Sequence, residues 1–163
     1  MFELLILGSQ ALSIFLIAAW LTSGVYDNIR YPANNEHYTA QVVSMELLRD
    51  AFPQEFARVG DRAIRSRTKQ KRLFWFVVFA EVITVILLWA GCGTLLLAIF
   101  ENAEIELARS IALLGAMAFT SIWAGFLIAG NYFCYWYCHE GIQNTHYQMT
   151  LWGMTNVIFL VLA

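Results

Sequence analysis

Four long apolar stretches alternate with polar segments along the chain. They cover residues 4–25, 73–100, 109–137 and 147–163. An α-helix rises about 1.5 Å per residue, so about 20 apolar residues cross a hydrocarbon core of about 30 Å. The pattern therefore predicts an all-α membrane protein with four transmembrane helices in one integral membrane domain, residues 1–163. The last stretch, with 17 residues, is close to the minimum length for a span.

The second stretch is longer than a single span requires. Its 28 residues would form a helix of about 42 Å. Such a helix must tilt, protrude or kink, and the run Gly91-Cys92-Gly93 is the candidate position for a kink.

The long polar segment, residues 26–72, predicts a helical cytoplasmic or interfacial region between the first and second spans. Asn34 or Asn35 is expected to cap one helix of this segment, and Pro53 to begin another. Apolar residues recur at helical spacing on both helices, at Tyr38, Val42, Met45 and Phe52 and then at Phe56, Val59 and Ala63. These stripes fit either helices that lie in the membrane interface or helices that pack on the protein itself.

Composition supports a membrane protein. The chain has 60% hydrophobic and 13% charged residues, whereas about a quarter of the residues in a soluble domain are charged. The chain starts Met1-Phe2-Glu3, without the basic n-region of a signal peptide. We therefore interpret the first stretch as a retained anchor. Nothing in the charge pattern indicates a nucleic-acid partner.

The distribution of basic residues predicts the orientation. Nine of the ten Lys and Arg residues lie within residues 26–72, so the positive-inside rule places this segment in the cytoplasm. We expect a multi-pass protein of the bacterial inner membrane with N-out/C-out topology and an external acidic turn at Glu101, Glu104 and Glu106. The basic patch predicted to face anionic lipids of the cytoplasmic leaflet comprises Arg58, Arg62, Arg65, Arg67, Lys69, Lys71 and Arg72.

Polar residues inside the apolar stretches predict a buried polar layer. Glu81 lies eight residues after Leu73, at a depth of about 12 Å from the cytoplasmic edge. The same counting puts Asn131, Thr155 and Asn156 at similar depths in the other spans. A carboxyl group in lipid costs several kcal/mol, so we expect Glu81 to face these three side chains.

The third stretch also carries a ladder of small residues. The ladder consists of Ser121, Gly125 and Ala129, and Ala118 lies beside it. Small side chains allow the backbones of two membrane helices to approach closely. The ladder therefore predicts a face for helix packing, with either another helix of this chain or a partner.

A cluster of cysteine and histidine residues lies between the third and fourth stretches. Cys134, Cys138, His139 and His146 are candidate metal ligands, since thiolate and imidazole groups bind zinc or copper. Their spacing matches no common zinc pattern, and Cys134 to His139 has one residue more than a c-type haem attachment site. We therefore expect no metal and no cofactor. No catalytic motif is present, and we expect no enzyme.

Three short runs of this sequence carry a resemblance to a known family. They are Tyr26-Asp27-Asn28, Asn35-Glu36 and Val42-Val43-Ser44-Met45. The chain resembles an uncharacterised bacterial family of predicted small integral membrane proteins with a domain of unknown function. The resemblance covers nearly the whole chain and includes a glutamate in the second span and an aromatic-rich terminal region. It implies the fold and no mechanism.

Three functions fit these features. We favour a small inner-membrane binding protein that acts through helix–helix contacts, either as an accessory subunit or as an immunity-type protein that neutralises a membrane-inserting toxin. Its partner would be another membrane protein or a second copy. The second function is a transporter or channel subunit with Glu81 as its ion or proton site. The third is a metal or redox protein built on the cysteine and histidine cluster.

Overall fold

The computed structural model describes residues 2–100 and 103–162, and these residues form seven α-helices and no strand. The helices are α1 (Phe2–Arg30), α2 (Pro32–Ser44), α3 (Glu46–Ala51), α4 (Pro53–Val59), α5 (Arg67–Ile99), α6 (Ile105–Tyr132) and α7 (Glu140–Leu162). Single turns of 3₁₀ helix occur at Gly60–Arg62 and Tyr135–Tyr137.

The four long helices form a bundle. Helix α5 packs along both α1 and α6, α6 packs along α7, and α7 touches α1. Large apolar side chains fill the interior, including Ile14 and Ile17 from α1, Leu88 from α5 and Phe119 from α6. Many large apolar side chains also lie on the outer surface, as expected for a bundle surrounded by lipid.

Helices α1, α5 and α6 are long and apolar enough to cross a membrane. Within the described residues, α7 is less apolar than these three helices, since polar side chains such as His146, Gln148 and Asn156 occur along it. The prediction of an all-helical membrane protein is confirmed.

The helices do not begin and end where the apolar stretches do. Helix α1 continues past residue 25 to Arg30, and α5 begins at Arg67, six residues before the predicted span. Helix α6 ends at Tyr132, because Cys134 has a left-handed backbone conformation with φ 55°. Two predicted features, Glu101 in the acidic turn and the last residue of the fourth span, lie outside the described residues.

The polar segment packs on the bundle. Pro53 begins α4, as predicted, but α2 begins at Pro32, and neither predicted asparagine caps it. The fixed φ angle of proline suits the first position of a helix, so the helix begins earlier than the asparagines. One part of the predicted apolar stripes forms a small cluster with Cys134, namely Met45, Phe56, Val59 and Ala63, together with Leu48. Tyr38 stays exposed.

Glycine allows the two central helices to approach closely. A Cβ atom on Gly91 of α5 would lie 2.5 Å from the Cα atom of Ala112 in α6. Helix α5 is continuous through Gly91, the candidate position for a kink. The glycine therefore serves the contact between α5 and α6.

Candidate functional site: a polar network at one end of the bundle

The side chain of Glu81 is buried, with 5% of its surface exposed, and lies at the end of the bundle where α1 meets α2. Asn28, near the end of α1, donates a hydrogen bond from Nδ2 to Glu81 Oε2 at 2.8 Å. Asn35 of α2 donates in turn from its Nδ2 to Asn28 Oδ1 at 2.6 Å. The three side chains join α2 to both α1 and α5.

A second set of contacts starts at the next residue of α2. Glu36 forms an ion pair with Arg67 at 3.2 Å, and Arg67 also donates to Gln70 Oε1 at 3.5 Å. The buried Gln70 donates from Nε2 to the carbonyl oxygen of Ile64 at 2.7 Å. The first turn of α5 is thereby tied both to α2 and to the segment that precedes α5.

The geometry of the network follows from where the helices begin and end. Asn28 lies beyond residue 25, where the apolar stretch of α1 stops, and Pro32 starts α2 so soon after α1 that Asn35 reaches back to Asn28. Helix α5 begins at Arg67, so Glu81 lies level with Asn28 and not deep in the bundle. Chemically, the buried carboxyl group of Glu81 accepts a hydrogen bond from the side-chain amide of Asn28. That amide accepts one in turn from Asn35, which lies in the polar segment.

The predicted polar layer is not formed. Asn131 is exposed, and Thr155 is exposed and bonds the carbonyl oxygen of Leu151 in its own helix. Asn156 is buried but accepts a hydrogen bond from Ser13 at 2.5 Å. Depth along a helix does not determine which side a residue faces.

Depth itself also separates Asn156 from Glu81. Their partners Ser13 and Asn28 are 15 residues apart on α1, which corresponds to about 22 Å along the helix. The counting from predicted span edges failed because those edges are not the ends of the helices.

A second polar group at the opposite end of the bundle was not predicted. Gln10 is fully buried, accepts a hydrogen bond from Arg109 Nε at 3.1 Å and donates to the carbonyl oxygen of Phe159 at 3.4 Å. Arg109 also forms an ion pair with Glu3 at 2.7 Å. These contacts join α1, α6 and α7. The lone basic residue outside the polar segment was the sequence signal for them.

The cysteine and histidine cluster is dispersed. Cys134 is buried in the apolar cluster beneath α3, and His146 lies among the rings of Trp123, Phe126 and Tyr135. Within the part of the chain that the structure describes, no three Cys, His, Asp or Glu side chains are placed to hold a metal ion.

The Cys138 thiol, in the turn before α7, is poorly suited to metal binding for an electrostatic reason. Burial raises the pKa of the Cys138 thiol and lowers the pKa of the His139 imidazole. The thiol therefore stays protonated at neutral pH, whereas a metal requires the thiolate.

The small-residue ladder of α6 faces outward. Ser121, Gly125 and Ala129 are exposed, and Ala118 is half-buried. A Cβ atom on Gly125 would meet nothing within 4 Å. No described helix of the chain therefore fills this face.

Six of the seven residues of the basic patch are exposed, and Arg62 is half-buried. Arg62 donates to the carbonyl oxygen of Tyr132 at 3.2 Å and lies over the Tyr132 ring, while Arg67 pairs with Glu36. The other five residues, Arg58, Arg65, Lys69, Lys71 and Arg72, are exposed. Two of the seven residues thus hold the polar segment on the bundle.

Comparison with known proteins agrees with the fold. The family model described as "Predicted small integral membrane protein (DUF2165)" matches residues 6–163. The chain belongs to this family. The resemblance inferred from the sequence is thus confirmed, and the chain is a small integral membrane protein. No curated protein and no solved structure matches it.

The runs that carried the resemblance supply most of the polar network. Asn28 ends the first run, Asn35 and Glu36 form the second, and Glu81 is the glutamate of the second span. Sequence reasoning placed these residues in one family pattern but did not connect them to one another. Two facts together could have connected them. A buried carboxyl group needs a hydrogen-bond donor, and the same family pattern contains asparagines at a helix end.

Proposed function

We propose that this protein binds another membrane protein through the outward face of α6, the face formed by Ser121, Gly125 and Ala129. The observation that carries the proposal is the open space over Gly125, where an added Cβ atom would meet nothing within 4 Å. In lipid, helices associate through close van der Waals packing, and exposed small residues permit it. A partner helix could therefore approach the α6 backbone here.

We propose that all four long helices, α1, α5, α6 and α7, span the membrane. Helix α7 has 23 residues and is about 34 Å long, which suffices for a span. It runs antiparallel to α6, since Trp123 contacts His146 and Gly153 packs against Thr120. Its polar first turns would lie at the cytoplasmic interface.

The orientation proposed is N-out/C-out in the bacterial inner membrane. The exposed basic residues around the start of α5 favour the cytoplasmic leaflet, where anionic lipids attract them. Reporter fusions test this directly. A fusion after residue 163 should report the external side, and one inserted between Arg58 and Arg72 should report the cytoplasm. Reversed signals would overturn the orientation.

Two kinds of partner fit this face. One is a larger membrane complex for which the chain is an accessory subunit, and the other is a membrane-inserting toxin neutralised by an immunity-type protein. A second copy of the chain would use the same surface. Mixing two differently tagged forms of the protein separates self-association from a foreign partner.

The test is a pair of glycine variants. Gly125→Leu fills the α6 face, whereas Gly93→Leu makes the same change on the outer face of α5, where a Cβ atom also meets nothing within 4 Å. Both variants should insert and stay folded, because neither position packs against the bundle. Purification in mild detergent should show the partner lost with Gly125→Leu and kept with Gly93→Leu. Equal retention in both would refute the proposed face.

A second candidate function is an ion or proton site at Glu81. The observation that favours it is the chain of hydrogen bonds from Asn35 through Asn28 to a buried carboxyl group. Vesicles that contain the protein should then dissipate an imposed proton gradient, and Glu81→Gln should abolish this without loss of folding. Equal rates for the two proteins would exclude proton transfer through Glu81.

A further inference from the structure

A polar cleft of about 300 Å³ lies where the end of α2 meets α3, α4 and the residues before α5. Arg49 of α3 lines it, together with Arg65, which precedes α5, and Arg67 in the first turn of α5. Gln41, Ser44 and Gln70 add polar side chains to its wall.

The backbone that carries two of these arginines is held in place. The amide of Ile64 donates to the carbonyl oxygen of Val43 at 2.8 Å, and the carbonyl oxygen of Ile64 accepts from Gln70 at 2.7 Å. Ile64 is thus fixed to α2 on one side and to α5 on the other. Arg65 follows directly, so these two hydrogen bonds fix the position of its backbone at the cleft.

The basic groups of the lining are not all paired. Three arginines and the carboxylate of Glu46 line the cleft, and Glu46 lies 3.9 Å from Arg49. Arg49 forms an ion pair with Asp50 at 2.9 Å, and Arg67 forms one with Glu36 at 3.2 Å. Arg65 is exposed and forms no hydrogen bond or ion pair with any residue that the structure describes.

We propose that this cleft is a discrete binding site for a phosphate-bearing anion. Guanidinium groups supply paired N–H donors that match phosphate oxygens, and the side-chain amide of Gln41 can add a further bond. The volume lies at the lower end of ligand pockets, which suits a lipid head group or a small soluble phosphate.

The site differs from a diffuse attraction between basic residues and lipid. It includes Arg49, which lies nine residues before the first residue of the basic patch, and it leaves out Lys69, Lys71 and Arg72. It is also independent of the α6 face, which lies on another helix. Loss of either activity would leave the other intact.

The test measures binding to the purified protein in detergent. The probes are phosphatidylglycerol, zwitterionic phosphatidylcholine and inorganic phosphate, with affinity read from native mass spectrometry and from the shift in Tm. Phosphatidylglycerol should bind saturably, and Arg65→Gln should weaken it about tenfold, as expected for loss of one charge-assisted hydrogen bond. Arg72→Gln, the matched control, removes the same charge outside the cleft and should change affinity less than twofold.

Arg65→Gln should keep the Tm of the free protein, since Arg65 has no partner to lose among the described residues. Arg49→Gln gives a second measurement, at the lining residue from α3. Competition by millimolar inorganic phosphate would assign the site to soluble phosphates, and its absence would assign it to a lipid head group. Equal weakening by Arg65→Gln and Arg72→Gln, or no saturable binding of any probe, would overturn the proposal.

Discussion

Helix α6 presents small residues on two faces, and the two differ in what lies against them. On the inner face, Ala112 and Gly115 are buried, and a Cβ atom on Gly115 would lie 3.0 Å from the backbone nitrogen of Leu88. On the outer face, Gly125 is exposed, and a Cβ atom there would meet nothing within 4 Å. The same residue type thus builds the bundle at one face and leaves a surface open at the other.

The difference shows what a small residue in a membrane helix can mean. In lipid the hydrophobic effect does not drive two helices together, so close packing must. The inner face has achieved this packing within the chain. The outer face allows the same close approach, but no helix that the structure describes packs against it at Gly125.

The largest expected effect comes from a substitution in the close contact between α5 and α6. Gly91→Ala places a Cβ atom 2.5 Å from the Cα atom of Ala112, which is backbone and cannot turn away. The variant should lose about 3 kcal/mol of unfolding free energy, the upper range for overpacking. Gly93→Ala, two residues further on in the same helix, should lose none. Unfolding by a denaturing detergent, followed by circular dichroism, measures the unfolding free energy of both variants. Equal values would show that the contact between α5 and α6 is loosely packed.

A smaller loss is expected where α6 meets α7. A Cβ atom on Gly153 would come into close contact with the hydroxyl of Thr120 and lie 2.9 Å from the Phe119 ring. These two neighbours are side chains, the backbone Cα atom of Thr120 lies further away at 3.1 Å, and Thr120 can lose its hydroxyl by substitution. Gly153→Ala should therefore cost about 2 kcal/mol, and Thr120→Ala should recover part of it. No recovery in the double variant would place the strain on the backbone instead.

A polar contact between helices gives a third measure of the interior. Glu81→Leu leaves the buried Nδ2 donor of Asn28 without an acceptor and should cost about 2 kcal/mol. Glu81→Gln keeps an acceptor oxygen and should cost less than about 1 kcal/mol. The same unfolding measurement compares them. Equal losses for the two variants would mean that the carboxylate charge, which both remove, and not the hydrogen bond, holds the network.

The sequence predicted the helical membrane fold because hydrophobicity over some 20 residues is a strong signal. It did not predict the helix ends, which depend on local backbone features. Pro32 starts α2 before the expected caps, and Cys134 ends α6 through a left-handed conformation. Neither feature changes average hydrophobicity.

The candidate site was predicted in part. Glu81 was identified as a buried polar residue, but its partner was sought in the wrong helices. Hydropathy gives depth only approximately and gives no rotation about the helix axis, so Asn131 and Thr155 were placed inside although both face outward. Asn28 was missed because it lies beyond the apolar stretch of α1 while remaining within the helix.

The smallest expected effect is at the outer face, and it is the sharpest test of the comparison. Gly125→Ala adds one methyl group at a position where nothing lies within 4 Å. No neighbour must move, and alanine is favoured over glycine in a helix by up to about 1 kcal/mol. The variant should therefore be as stable as the parent or slightly more stable, opposite in sign to Gly91→Ala. A loss as large as that of Gly91→Ala would mean that a helix covers this face even in the isolated protein, and the two faces of α6 would then be alike.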